Sequence, residues 1–171
     1  AEVLPEQLRH RFCGVHFFNP PRYMHLAELI PARTTDRAVL EGLETFLVTN
    51  LGKGVVHAKD TPNFIGNRIG VFSILSVIHH TEQFGLGFDE VDGLTGRLVG
   101  RPKSATYRTS DVVGLDTMAH VIRKLQDNVS TDTDPFYDSF DTPPVLAKLL
   151  ELKNLGQKTG AGFYKKQGRD I

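Results

Sequence analysis

The chain has 171 residues, 40% of them hydrophobic, and its 20 Lys and Arg balance 20 Asp and Glu. That apolar fraction supports a core and excludes global disorder. The even charge excludes the strong basic excess of a nucleic-acid footprint, so no nucleic-acid partner is expected. Cys13 is the sole cysteine, which rules out an intrachain disulfide. A lone thiol fits a reducing compartment, and the cytoplasm is the expected location. No apolar run reaches the ~18 residues of a membrane span.

In chain order, residues 5–11 are polar and suit a loop or the end of a helix. Gly14 to Phe18 is rich in strand-favouring residues, Asn19-Pro20-Pro21-Arg22 signals a turn, and His25 to Ile30 suits a second strand. Two short strands cannot stand alone, so a larger sheet is expected, with residues ahead of Ala1 its natural source. Thr35 or Asp36 is placed to cap a helix that runs to about Leu51 and stops at Gly52. Its apolar positions Val39, Leu40, Leu43, Phe46 and Leu47 follow helical spacing. Gly54 to Ala58 reads as another short strand.

Residues 64–84 form a long helix that is apolar on more than one face, as expected of a helix buried on several sides or set in a subunit interface. Shorter helices follow at 89–99, 104–113 and 115–128. A polar, Pro-bearing loop covers 130–144, a last helix covers 145–153, and the Gly-rich 156–166 is irregular. The expected fold is mainly α, with a short β-rich segment (1–32) ahead of a helical domain (33–171).

A histidine inside an apolar strand is most simply a buried side chain satisfied by backbone. A turn centred on Arg22, however, sets His16 opposite Glu28, and opposed side chains on one face have Cβ atoms ~5 Å apart. A carboxylate at that range orients the ring and favours its imidazolium, as a base accepting an alcohol proton requires. Asn67 is a poor choice for a helix interior. Its amide suits either a local hydrogen bond or a donor to a substrate oxygen.

Other candidates fall away. Gly85-Leu86-Gly87 lacks the third glycine of a dinucleotide turn, and Gly156-Gln157-Lys158-Thr159 lacks the earlier glycine of a P-loop. His79-His80 with Glu82 does not match zinc-ligand spacing, so no metal is expected. Lys158, Lys165, Lys166 and Arg169 are a solvated tail or a site for coenzyme phosphates. Asn128-Val129-Ser130 spells a glycosylation sequon and is read as chance, with no signal peptide in view.

Four motifs occur in order: His16-Phe17-Phe18-Asn19-Pro20, Lys59 through Arg68 (KDTPNFIGNR), Asp111 through Thr117 (DVVGLDT) and Gly156 through Tyr164 (GQKTGAGFY). Together they resemble the signatures of 3-hydroxyacyl-CoA dehydrogenases over nearly the whole chain. The resemblance implies that His16 is the catalytic base, that Glu28 is its partner and that Asn67 contacts substrate. It implies that Asn19 and Lys158 touch the NAD cofactor. It implies oxidation of an L-3-hydroxyacyl-CoA to the 3-ketoacyl-CoA in fatty-acid β-oxidation, and a homodimer formed through the helical domain. The implied fold is the last strands of a Rossmann-type NAD-binding domain followed by an all-α domain like that of 6-phosphogluconate dehydrogenase.

In that family the glycine-rich cofactor turn, the acidic ribose ligand and an active-site Ser precede the position of Ala1. The 171 residues alone are therefore expected to turn over poorly. Arg101-Pro102-Lys103-Ser104-Ala105-Thr106 resembles the version found in long multifunctional bacterial proteins that also carry an enoyl-CoA hydratase domain. Two other readings stand beside this one: a non-catalytic helical dimerisation domain, and the helical half of another NAD-dependent hydroxyacid dehydrogenase.

Overall fold

The computed structural model describes residues 3–166 and Gly168; Arg169 of the basic tail lies outside them. Two compact units divide the chain, Ala1–Gly66 and Asn67–Ile171.

The first unit is built on a three-stranded sheet in the order β1-β2-β3. After a single helical turn (α1, Glu6–Arg9), β1 (Cys13–Phe17) pairs antiparallel with β2 (Leu26–Pro31). Helix α2 (Arg37–Thr49) then carries the chain back, and β3 (Gly54–His57) pairs parallel with β2. This is a strand–helix–strand crossover, the connection parallel strands need. Ala27, Leu29 and Leu47 make a small core, with Cys13, Val15, Leu43 and Val55 packed on it. Phe46, although in phase with the apolar stripe of α2, stays 50% exposed.

This arrangement corrects the expected division at Ala32. The strand that extends the hairpin comes from Gly54–His57, so the residues beyond Ala32 are not all helical. The compact unit runs on to Gly66 because α2 and β3 belong with the sheet.

The second unit is helical: α3 (Gly66–Phe84, starting at the division), α4 (Phe88–Thr95), α5 (Tyr107–Val113), α6 (Leu115–Gln126) and α7 (Pro144–Glu151). Val71, Leu75 and Ile78 of α3 pack with Val91, Tyr107, Met118, Ile122, Leu125, Leu146 and Phe163 in one core. Their 3–4 residue spacing is that of a single buried stripe. Ile69, one of the apolar residues of the expected long helix, is 63% exposed, and Phe84 at its end is 68% exposed. The expected 89–99 helix ends at Thr95 and gives way to a 3₁₀ turn, Arg97–Val99. The expected 130–144 loop holds a second such turn, Tyr137–Phe140, and buries Phe140 and Asp134. Asp134 is paired with Arg68. Among the described residues no helix is long and apolar enough to cross a membrane.

Two aspartates tie this unit together. Asp92 of α4 accepts from the N–H groups of Thr106, Tyr107 and Arg108 at 2.7–3.0 Å and from the Tyr164 hydroxyl at 2.9 Å. It thereby caps α5, whose first amides have no partner within their own helix. Asp111 of α5 accepts from the N–H groups of Phe163 and Tyr164 at 2.9 and 3.0 Å. Gly156, at φ +98, lies so close to the Asp111 backbone that a Cβ would stand 2.3 Å from the Asp111 carbonyl oxygen. The third and fourth sequence motifs therefore meet here as a structural clasp.

Candidate active site

Position 16 lies opposite position 28 in the β1–β2 register, and His16 Nδ1 is 2.6 Å from Glu28 Oε2. Glu28 is fully buried and the His16 side chain is 28% exposed. The sheet makes this possible because side chains alternate across it. Ala27 and Leu29 enter the small core, while Glu28, between them, leaves by the other face.

A buried carboxylate needs donors, and Glu28 has more than its imidazole. Its Oε1 accepts from the backbone N–H groups of Ile65 and Gly66, at 2.9 and 2.7 Å. The peptide is turned to deliver them by two consecutive left-handed residues, Asn63 (φ 60) and Phe64 (φ 53). That conformation is costly for a bulky residue such as Phe. A two-amide cradle for Glu28 gives it a use.

With Nδ1 committed to the carboxylate, the tautomer inferred from the hydrogen bond leaves Nε2 as the acceptor. The rings of Phe18 and Phe64 flank the imidazole, with centroids 4.7 and 5.5 Å away. Phe18 in turn rests on Gly66, where an added Cβ would meet its ring at 2.4 Å. Gly66→Ala is therefore expected to displace Phe18 and, through it, His16. Turnover is expected to fall on the order of 10–100-fold, the scale of a 1 Å misplacement; steady-state kinetics beside a melting curve checks it.

Sequence reasoning pointed to His16 and Glu28 but not to the cradle amides, Phe18 or Phe64. Gly66, the first residue of α3, where an alanine would serve the helix better, is the available sign of a close approach. Asn67 begins the second unit in the first turn of α3 and is half-buried. Asn19 is exposed on the turn that follows β1. Lys158 belongs to the second unit, where its Nζ lies 2.6 Å from both carboxylate oxygens of Asp116. That ammonium holds the Asp116 carboxyl below the usual carboxylate range. Of the five residues singled out, the structure brings His16 and Glu28 into contact, with Asn19 three positions further along the same strand and turn.

An imidazole braced by a buried carboxylate, with one nitrogen free, is the arrangement of a proton acceptor. Comparison with known proteins gives the family. The model described as "3-hydroxyacyl-CoA dehydrogenase, NAD binding domain" matches residues 3–61, and that described as "3-hydroxyacyl-CoA dehydrogenase, C-terminal domain" matches residues 64–166. The chain belongs to the 3-hydroxyacyl-CoA dehydrogenase family.

A probable 3-hydroxyacyl-CoA dehydrogenase of Bacillus subtilis is 47% identical over all of this chain and 21% of its own length. One of Deinococcus radiodurans is 45% identical over 94% of this chain and 45% of its own. The crystal structure of M. tuberculosis FadB2 superposes with a TM-score of 0.79 at 34% identity, covering 92% of this chain and 53% of that one. The chain thus spans less than half the length of the Bacillus and Deinococcus relatives.

Proposed function

We propose that the protein carrying this chain is an NAD-dependent L-3-hydroxyacyl-CoA dehydrogenase of fatty-acid β-oxidation. The observation that carries this reading is the 2.6 Å contact of His16 Nδ1 with a Glu28 held by two backbone amides. In this reading the 3-hydroxyl proton passes to His16 Nε2. NAD, met at its nicotinamide end by Asn19, would supply the hydride acceptor for C3 when bound. Glu28 keeps the ring in one orientation and stabilises the positive charge that the proton brings. Phe18 and Phe64 limit water at the ring. Asn67 holds the substrate oxygen through its amide.

Asn19 suits the nicotinamide end of the cofactor. Its exposed side-chain amide offers both a donor and an acceptor, the complement of a carboxamide. Lys158 would join it only by sharing its ammonium with Asp116. The first unit is read as the closing part of a Rossmann-type domain, and the second as the all-α, 6-phosphogluconate dehydrogenase-like domain. A homodimer through that helical domain would cover Ile69 and Phe84 of α3. A cytoplasmic setting suits the single thiol of Cys13.

The test is a substrate panel, following NADH absorbance with L-3-hydroxyacyl-CoA thioesters and, in parallel, with short free hydroxy acids. Oxidation of the thioesters is expected. Asn67→Ala is expected to lower kcat by about 100-fold, as loss of an oxyanion donor does. Oxidation of the free acids alone would overturn the proposal.

A further inference from the structure

Lys53 stands just before β3 and is only 9% exposed. An ammonium taken out of water needs acceptors, and this one is offered two backbone carbonyls, those of Pro21 and Met24, the latter at 2.7 Å. Both belong to the turn between β1 and β2. The next residue adds to the grip: the Gly54 N–H donates to the His25 carbonyl and to His25 Nδ1, each at 2.9 Å. The ring of Phe17, at the end of β1, lies 6.0 Å from the ammonium.

The turn has need of an outside clamp. Pro20 and Pro21 have no N–H to donate. The turn's own bonds are those of Tyr23 and Met24 to the Pro20 carbonyl, at 3.0 Å each. A cation placed at the start of β3 thus stiffens the segment that leads from His16 through Asn19 to β2.

We infer that Lys53 is a positioning residue for the cofactor: by clamping the β1–β2 turn it sets how firmly Asn19 meets the nicotinamide end of the dinucleotide. The inference rests on the reading of Asn19 given above. A turn held in place before binding loses less freedom on binding, so the effect belongs to cofactor affinity rather than to the acyl-CoA side.

The experiment measures NADH binding by its own fluorescence, alongside steady-state kinetics, in the protein that carries this chain. Lys53→Met is expected to weaken NADH binding and raise the KM for NAD by about 10-fold, the cost of re-ordering a loosened turn. The KM for the acyl-CoA should stay within about twofold. Lys53→Arg, with a fork that can serve two carbonyls, should recover most of the NADH affinity. If Lys53→Met does not fold, Lys53→Gln keeps a donor there and is expected to show a smaller shift in the same direction. A lower melting temperature with unchanged NADH affinity would mean that Lys53 serves stability alone, and would overturn the inference. Wild-type protein that binds no NADH would remove the reading of Asn19 as well. Normal wild-type binding that is insensitive to Lys53 would remove only this inference.

Discussion

Replacing His16 with alanine is expected to lower kcat/KM by at least ~100-fold, within the 10²–10⁴ range of a lost general base. The geometry argues for a loss this large because, among the described residues, no group beside the ring is placed to take over. Glu28, the nearest ionisable group, has one oxygen occupied by the Ile65 and Gly66 amides and the other facing the imidazole. It is fully buried and so cannot reach substrate in place of His16. The fold should survive, since alanine fits a strand and Glu28 keeps its two backbone donors. Glu28→Gln should also lose turnover, for a different reason. Its amide nitrogen must face either the two backbone N–H groups, which sets donor against donor, or Nδ1, which then accepts and leaves the ring proton on Nε2, where the base is needed. Circular dichroism and single-turnover rates separate chemistry from folding. A His16→Ala protein within about threefold of wild type would end the assignment.

The largest loss of stability is expected at Asp111. Its carboxylate is the acceptor for two N–H groups of the Gly-rich segment, and Phe163, one of the two donors, is buried in the helical core. Asp111→Ala leaves both without an acceptor at a cost of about 1–3 kcal/mol each. The loss should be on the order of 3–5 kcal/mol by chemical denaturation, among the larger effects of single substitutions.

The pH dependence adds a second check. Burial pushes the Asp111 carboxyl above its ordinary range, outweighing the two amides that pull it down. A carboxyl raised in the folded state binds its proton more tightly folded than unfolded. Its contribution is therefore greatest below the unfolded value of ~3.9 and declines as pH rises through the raised folded value. The stability gap between wild type and Asp111→Ala should accordingly be wider near pH 4 than near pH 7. An equal gap at both would count against the burial argument.

Much of this molecule is local and hence legible in order along the chain. The Asn19-Pro20-Pro21-Arg22 turn signal, with alternating strands on either side, is enough to place position 16 opposite position 28, because hairpin register follows from the turn. Helices α3, α6 and α7 lie within a few residues of where apolar spacing puts them. The rest depends on distant partners. The first unit runs past Ala32 to Gly66 because a parallel strand is joined to its neighbour across a helix, and no short-range pattern announces that pairing. The apolar faces of α3 suit either burial on several sides or a subunit interface; within the chain one stripe is fully buried while Ile69 and Phe84 stay exposed, since the pattern along one helix does not say which neighbours surround it.

The sequence by itself determined the order of helices and strands, the His16–Glu28 opposition and the family, since each depends on residue type and spacing along one stretch of chain. Only the tertiary structure decided that Ile65 and Gly66 lend their amides to Glu28, that Phe18 rests on Gly66, that Lys53 clamps a turn about thirty residues away, and that Asp92 and Asp111 gather the helical unit. These are hydrogen bonds and contacts between segments distant along the chain. Burial makes them obligatory, but no local signal in the residues names the partner.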